Sequence, residues 1–277
     1  MPALKFFRVF ICPYRKYFVF LRHKPLKLIR TMKKLQSLFV CMLLMMASAT
    51  LHAAQKQDTF QTKSGKTVTI THIKHASIQI TYEGKQIYID PVTDLEPRTD
   101  FSTYPKASYI IVTHEHPDHY SQSAIYQLRT SSTPVYLNQS TQNYLHGSNV
   151  VMANGDSLRI GDDIWLWAVP AYNTTPEREK YHPKGRDNGY ILQLDGLRIY
   201  IAGDTEDIPE MANLRNIDIA FLPCNQPYTM TIDQLTAAAK VIKPKVLFPY
   251  HYSDTRINML LMKMAGSGID VRIRDYK

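Results

Sequence analysis

Six consecutive residues, His114-Glu115-His116-Pro117-Asp118-His119, place three imidazoles and the carboxylate of Asp118 within one short segment. The apolar residues 109–112 end one residue before it and are typical of a buried strand, so this cluster lies on the loop that leaves a strand. Imidazole nitrogens and carboxylate oxygens bind zinc and related divalent cations. The pattern predicts a metal site; a solvated histidine-rich loop is the alternative.

Two further candidate ligands follow strands that lie far along the chain. Asp204 comes after the predicted strand 197–201, where Gly203 permits a close turn of the backbone. His251 follows the predicted strand 245–248 in the same way. Taken singly, Asp204 could cap a helix and His251 could be an ordinary imidazole. Three strand ends that present His or Asp together favour one shared site at the edge of a sheet.

The elements that must position these residues are mostly short strands. Residues 77–82 alternate in polarity, Glu83-Gly84 makes a turn, and residues 86–89 return as a hairpin; a second hairpin turns at Asp195-Gly196. Further strands are predicted at 135–137, 164–169, 190–194, 197–201, 217–222 and 245–248. Four helices are predicted. One spans 121–128, a second has Pro209 in its first turn, a third runs from the capping box at Thr231 to before Pro244, and the last spans 257–265. Sheets with helices outside them, an α/β sandwich, are therefore expected.

Residues 1–54 differ in charge from the rest of the chain. They contain ten of the 33 Lys and Arg residues and no acidic residue, so the formal net charge of +9 belongs to this leader. Residues 32–54 have a charged start, a short apolar centre and a small-residue end, which predicts a signal peptide and export to the periplasm or outside the cell. A retained membrane anchor and lipidation at Cys41 are the alternatives. Residues 1–31 are interpreted as an upstream extension or a disordered basic leader, with Met32 as the initiator.

Residues 55–277 are predicted to form a single domain. They are numerous enough to bury a sizeable core, and they contain no repeat or Gly/Ser linker. Only Cys224 lies in this range, so an intramolecular disulfide is excluded. Because this part of the chain is close to neutral, its charge does not favour nucleic-acid binding. The expected partner is a small-molecule substrate, and the mature chain is not expected to insert stably into a membrane.

The order of these motifs resembles the metallo-β-lactamase superfamily. The features are H-x-H-x-D-H, a G-D-T segment after a strand, and a C-terminal strand that ends in His251. The resemblance runs from about residue 69 to the C terminus. Within the superfamily the chain looks like the small metal-dependent hydrolases, which have stretches similar to residues 75–77, 89–91, 169–173, 182–185 and 249–252. It implies an αββα four-layer sandwich with its site in a groove at one edge of the packed sheets.

The resemblance also implies a ligand set for two zinc ions, with manganese or iron as alternatives. Each ion would have its own side chains and one carboxylate would bridge them: His114 and His116 with one more histidine for the first ion, Asp118, His119 and His251 for the second, and Asp204 between them. A metal-bridged hydroxide would then attack an ester, lactone or phosphodiester bond. Asp118 would orient the nucleophile or relay a proton.

The third histidine of the first ion departs from the pattern. Many members of the superfamily place it directly after a strand, where this chain has Asn173. An amide oxygen is a weak zinc ligand, whereas an imidazole is a good one. His182 lies nine residues further on, and we expect it to be the ligand, with Asn173 as a hydrogen-bonding neighbour.

Several polar residues stay undecided in the sequence. His75 could line the groove or cap the hairpin, and His146 is expected at the surface. Tyr228 or Asn225 could contact substrate, although their loop could equally be a structural turn.

Two other functional classes compete with a hydrolase. One is a non-hydrolytic metal-binding protein, for example a redox protein with iron in the same ligands. The other is an envelope binding module with a structural metal, although structural zinc sites are closed four-ligand cages rather than carboxylate-rich pairs. Among hydrolases, the chain is too short for the RNA-gripping domain of nuclease members, and residues 172–186 look unlike antibiotic-hydrolysing branches.

Overall fold

A computed structural model of the protein describes residues 56–147 and 149–276, which lie within one compact unit. The predicted extension and the predicted signal peptide, residues 1–54, lie outside the described residues. Within the described residues, no helix is long and apolar enough to cross a membrane.

Two seven-stranded sheets make up most of the fold. Strands that are consecutive in the chain lie side by side in both sheets, β1 to β7 in the first and β8 to β14 in the second. The strands of the first sheet are β1 (Gln57–Gln61), β2 (Thr67–Lys74), β3 (Ser77–Tyr82), β4 (Lys85–Ile89), β5 (Tyr109–Ile111), β6 (Val135–Leu137) and β7 (Val150–Val151). β1 to β4 pair antiparallel, and β4 to β7 pair parallel.

The second sheet has the same mixed character. Its strands are β8 (Ser157–Arg159), β9 (Ile164–Ala171), β10 (Asp187–Leu194), β11 (Leu197–Ile201), β12 (Ile219–Pro223), β13 (Val246–Tyr250) and β14 (Asp270–Val271). β8 to β11 pair antiparallel, and β11 to β14 pair parallel. The predicted strands are thus present, with ends shifted by up to three residues. The predictions omitted β2 and the short outer strands β1, β7, β8 and β14, whose pairing depends on distant partners.

The helices are few and short. They are α1 (Gln122–Leu128), α2 (Gln139–Gln142), α3 (Ile232–Ile242) and α4 (Met259–Lys263), with 3-10 helices at Phe101–Thr103 and Pro209–Asn213. The predicted caps are confirmed: Ser121 accepts a hydrogen bond from Ala124 N, and Thr231 and Gln234 form a capping box. The segment that begins at Pro209 is a 3-10 turn of five residues, α4 is shorter than predicted, and α2 was not predicted.

Side chains alternate across the first sheet and bury both of its faces. Ile87, Ile89 and Ile111 lie in the large core between the two sheets. Tyr88 and Ile110, one residue away, belong instead to a second core that includes Ile125 of α1. On the second sheet, α3 adds its buried face to the large core. Each fully buried side chain of this kind contributes about 1.5–3 kcal/mol. Helices cover the packed sheets, which confirms the αββα sandwich.

The loops that carry the candidate ligands meet at one edge of the sandwich. Strands β4 and β5 run parallel in one sheet, and β11, β12 and β13 run parallel in the other, so their carboxyl ends share an edge. Gly203, two residues after the end of β11, has a φ of +64°, and a Cβ there would lie 2.8 Å from the carbonyl oxygen of Asn188. Only glycine fits this close turn without strain. The turn brings Asp204 against the loop that follows β5.

Candidate metal centre

The loop after β5 is held by its own backbone and by a neighbouring carboxylate. The N–H groups of His119 and Tyr120 both donate to the carbonyl of His116, at 2.9 and 2.8 Å. Asp90, at the end of the adjacent strand β4, accepts from the backbone N–H of Thr113 at 2.7 Å. His114 and His119 are fully buried, whereas His116 and Asp118 are partly exposed. The loop therefore has a buried side and a side that solvent can reach.

Two groups of potential ligands converge beside this loop, and a third group of His114, His119 and Asp204 overlaps both. In each group the atoms that could bind a metal lie within 4.8 Å of one another. The first group consists of His114, His116 and His182, and the second group consists of His75, Asp118, His119 and His251.

Asp204 lies between the two groups. Its Oδ2 is 3.3 Å from Nε2 of His182, in the first group, and 3.3 Å from Nε2 of His251, in the second. Its Oδ1 is 3.1 Å from Nε2 of His119. The carboxylate thus lies within 3.3 Å of nitrogens of both groups, as the predicted bridging role requires. The structure thus brings all seven predicted ligands together; metal binding by them stays a prediction.

Three residues orient the imidazoles by contacting the Nδ1 atoms of the rings. Nδ1 of His119 lies 2.8 Å from Oδ2 of Asp90, and Nδ1 of His182 lies 3.0 Å from Oδ2 of Asp187. Nδ1 of His114 lies 3.0 Å from the hydroxyl of Thr113. Carboxylates and hydroxyls that contact the outer ring nitrogen fix how a metal-binding histidine is turned.

The sequence predictions did not include Asp90 or Asp187 as functional residues. Asp90 follows a predicted strand, just as Asp204 does, so its position along the chain was an available signal. Asp187 opens β10 and offered no comparable signal, because its contact with His182 depends on how the intervening loop folds.

The polar atoms that face the centre fit a divalent cation. Nε2 of His114, Nε2 of His119 and Oδ1 of Asp204 are buried, and none of them forms a hydrogen bond of normal geometry among residues 56–147 and 149–276, although the last two atoms lie 3.1 Å apart. Buried polar atoms in native proteins are almost always paired, and an ion is one of the recognised explanations for exceptions. Nitrogen and carboxylate oxygen donors are also the set that zinc, manganese and iron accept.

The electrostatics of the centre favour positive charge. Burial by itself would raise the pKa of Asp204, but the imidazoles of His119 and His251 hold it well below its usual value. Burial lowers the pKa of His114 well below its usual value, with the neighbouring His119 acting in the same direction. Asp204 is therefore ionised, and against the effect of burial it raises the pKa of His119 and His251, so the centre stabilises positive charge.

The structure brings His182 to the first group and keeps Asn173 out of it. The side-chain nitrogen of Asn173 donates to the carbonyls of Tyr228, at 2.7 Å, and Arg178, at 3.2 Å. Its backbone N–H donates to the carbonyl of His182 at 2.8 Å. These hydrogen bonds of Asn173 hold the loop in the form in which His182 reaches the first group; the role of His182 as a metal ligand stays a prediction.

The structure shows where the polar residues lie whose roles the sequence left undecided. His75 joins the second group, with Nε2 3.1 Å from Oδ2 of Asp118, whereas His146 is exposed, as expected. Tyr228 is half exposed and packs edge-on against the ring of Tyr181, with ring centroids 5.0 Å apart. The side chain of Asn225 donates to the hydroxyl of Ser253 at 3.2 Å.

Comparison with known proteins agrees with this geometry. A sequence model described as the beta-lactamase superfamily domain matches residues 69–251, which include both ligand groups and Asp204. The UPF0173 metal-dependent hydrolase of Ligilactobacillus salivarius is 34% identical over 191 residues, which cover 66% of this chain and 84% of that protein. A UPF0173 metal-dependent hydrolase of Archaeoglobus fulgidus is 31% identical over 195 residues, covering 66% and 83%. The chain belongs to the metallo-β-lactamase superfamily, in its branch of metal-dependent hydrolases.

Solved structures show the same relationship. A protein of Parabacteroides distasonis that is assigned to the metal-dependent hydrolases is 53% identical, with a TM-score of 0.77, and covers 80% of this chain and 99% of that one. Igni18, a metallo hydrolase of Ignicoccus hospitalis, has a TM-score of 0.63 at 24% identity and covers 75% and 95% of the two chains. The second likeness shows the fold alone. The chain is therefore an enzyme, a metal-dependent hydrolase with the fold that the sequence predicted.

Proposed function

We propose that this metal-dependent hydrolase is exported, holds two zinc ions and cleaves an ester, lactone or phosphodiester bond in a small-molecule substrate. The observation that carries the two-ion proposal is the position of Asp204, with oxygens 3.1–3.3 Å from nitrogens of both ligand groups. A structural zinc site would use a single closed set of four ligands instead.

The residues of the centre would bind the two ions as separate sets of ligands. His114, His116 and His182 would hold the first ion, the second group would hold the other, and Asp204 would lie between them. When bound, such a pair of cations polarises the bond under attack and makes water nucleophilic near neutral pH. The buried imidazoles exclude solvent from the inner side of the centre, so substrate approaches from the side of His116 and Asp118.

Asp118 is the proposed catalytic residue among the chain's own side chains. Its side chain is 32% exposed, and its Oδ2 lies 3.1 Å from Nε2 of His75 and 3.2 Å from Nε2 of His251. Burial would raise its pKa, but the imidazole of His119 and the other neighbouring histidines hold it below the usual value. An ionised carboxylate at the open side of the centre can accept a proton from water or pass one to a leaving group.

The experiment loads the mature protein with zinc and measures metal content and hydrolysis on the same sample. A panel of lactones, carboxylic esters, phosphodiesters and β-lactams covers the candidate bond types. We expect two ions per chain and hydrolysis that is lost on chelation and restored by zinc. Hydrolysis that persists in metal-free protein, or a stoichiometry of one, would contradict the proposal. Full activity only with iron and a reductant would favour the redox alternative.

Export is proposed from the pattern of residues 32–54 alone. Cell fractionation with mass spectrometry of the native N terminus tests it, because a cleaved signal peptide leaves a mature chain that begins close to residue 55. Peptides from residues 1–31 in the native precursor would show that Met32 is not the initiator.

A further inference from the structure

His75 lies in the second ligand group although the superfamily resemblance gave it no role there. It forms the turn between β2 and β3, and its ring centroid is 3.8 Å from that of His251. Its side chain is 16% exposed, so it is part of the wall of the centre rather than of the protein surface. The histidine thus contacts two predicted ligands of the second ion, His251 and Asp118.

The distance from His75 to Asp118 equals the distances between predicted ligands. His251 Nε2 lies 3.2 Å from Asp118 Oδ2, and His119 Nε2 lies 3.1 Å from Asp204 Oδ1. His75 Nε2 lies 3.1 Å from the same Asp118 Oδ2 that His251 approaches. Two donor atoms that each bind one zinc ion at about 2.0–2.2 Å are separated by about 3 Å when they are neighbours around it. His75 is therefore placed as a ligand of the same ion would be.

The backbone holds His75 in this position at a conformational cost. Its φ is +48°, in the left-handed region that residues with a side chain rarely adopt. Its N–H donates to the carbonyl of Tyr276 at 2.8 Å, and its own carbonyl accepts from the N–H of His251 at 3.1 Å. Such strain persists where the surroundings over-determine it, and it concentrates at functional sites.

Part of this support comes from outside the matched family region. Tyr276 lies in the C-terminal tail, beyond residue 251, where the superfamily match ends. The hydroxyl of Tyr276 lies 2.7 Å from Nδ1 of His72, whose Nε2 lies 2.9 Å from buried Asp58. Arg274 in the same tail donates to Asp58 through two nitrogens, at 2.7 and 2.6 Å. The tail is thereby anchored close to the centre and fixes the backbone of His75.

We propose that His75 is an additional ligand of the second ion. This ion would then have four side chains of its own, His75, Asp118, His119 and His251, together with the shared Asp204. The first ion would have three histidines and Asp204, so the two sites differ in the number of protein donors. The inference rests on the proposed two-ion function and adds an asymmetry: the second ion has more protein donors than the first and should be held more tightly.

The test compares His75→Asn and His75→Gln with His146→Asn in the mature, metal-loaded protein. Asparagine tolerates a left-handed φ, so His75→Asn removes the imidazole with little added backbone strain. His146 is an exposed histidine and serves as the matched control. Thermal unfolding of each variant shows whether the fold is kept. Cobalt replaces zinc, because its visible absorption becomes more intense as the number of ligands falls.

We expect both His75 variants to release the second ion more readily in a stepwise chelator titration. The loss of affinity should exceed the factor of about 10–100 that is typical when a supporting residue is replaced. The cobalt absorption of the second site should intensify, and the His146 variant should match the wild type. A weaker second site with an unchanged cobalt spectrum would overturn the proposal, because His75 would then only hydrogen-bond to Asp118.

A measurement on the wild-type protein avoids any folding defect of the variants. In cobalt-loaded protein, the ring proton signals of each ligand histidine shift far outside the normal NMR range. We expect the ring signals of His75 among them, and their absence would refute its assignment as a ligand. A wild-type protein that binds fewer than two ions would refute the proposed two-ion function, independently of the result for His75.

Discussion

The two halves of the metal centre are supported by different surroundings. Behind the first group, Asp187 contacts His182 and is itself paired with Arg186, whose Nε lies 2.7 Å from Asp187 Oδ1. Behind the second group, Asp90 contacts His119 at 2.8 Å and accepts from the N–H and the hydroxyl of Thr113, both at 2.7 Å. One supporting carboxylate thus contacts a guanidinium as well as an imidazole, whereas the other contacts an imidazole and Thr113.

This difference sets how strongly each supporting carboxylate acts on its histidine. A carboxylate behind a metal-binding imidazole makes the ring a better donor, and a neighbouring cation weakens that effect. Arg186 also places Nη2 3.4 Å from Nε2 of His116, so it contacts both a ligand and the support of another ligand. In the first group, Arg186 therefore contacts both the ligand His116 and the carboxylate that supports His182. The second group is supported by buried Asp90 instead.

The largest effect is expected from Asp204→Asn, because this residue belongs to both halves. The substitution keeps the shape and removes the charge that lies between the two ligand groups. We expect both ions to be lost together, with hydrolysis at background level, as measured by metal analysis and kinetics. Asp162→Asn, at an exposed position, is the control. Loss of one ion with full retention of the other would show that Asp204 binds only one of the two ions.

Asp90→Asn and Asp187→Asn compare the two supports directly. Each should weaken one ion by about 10–100-fold, with Asp90→Asn at the upper end because no guanidinium shares its charge. The affinity of each site can be measured by competition with a chromophoric chelator. Equal losses in the two variants would mean that Arg186 does not modulate the first half.

Gly203→Ala should affect both halves at once. The added Cβ would lie 2.8 Å from the carbonyl oxygen of Asn188 and 3.2 Å from Cβ of Thr113, and the φ of +64° disfavours alanine. We expect a loss of about 1–3 kcal/mol in the free energy of unfolding, from denaturant titration. Gly65→Ala, which also has a positive φ but no atom within 4 Å, separates backbone strain from the close contact.

A smaller effect is expected from Arg186→Lys. Lysine keeps the charge but cannot contact Asp187, His116 and the carbonyl of Tyr181 with one planar group. The affinity of the first site should fall less than in Asp187→Asn, while the second site stays unchanged. Arg178→Lys is the matched control, because Arg178 lies in the same loop and pairs with Glu206. A change confined to the second site would contradict the comparison.

The smallest effect concerns the pH dependence of the loop that carries His182. Burial would raise the pKa of Glu206, but hydrogen bonds from Thr175 and Thr174 lower it from 4.5 to about 2. Its contribution to stability is therefore present above about pH 4.5 and is lost as the pH falls toward 2. Denaturant titrations between these pH values should show a shallower decline for Glu206→Gln than for the wild type, and identical declines would refute the role of this carboxylate.

Much of the centre could be predicted from the sequence because its residues follow strands. His114 to His119, Asp204 and His251 each come directly after an apolar run, and parallel strands bring such positions to one edge. The preference for His182 over Asn173 followed from ligand chemistry, and the structure places His182 accordingly. Asp187, Arg186 and His75 could not be assigned a role, because their contacts join segments that no local pattern relates.

The sequence by itself determined the types of donor, the strands that present them and the superfamily, since these depend on side-chain chemistry and on hydrophobic periodicity along the chain. The tertiary structure alone decided which donors share a group, which carboxylates support them and how the tail holds His75. Those relations depend on distances between residues up to 216 positions apart, and only the packing of the two sheets sets these distances.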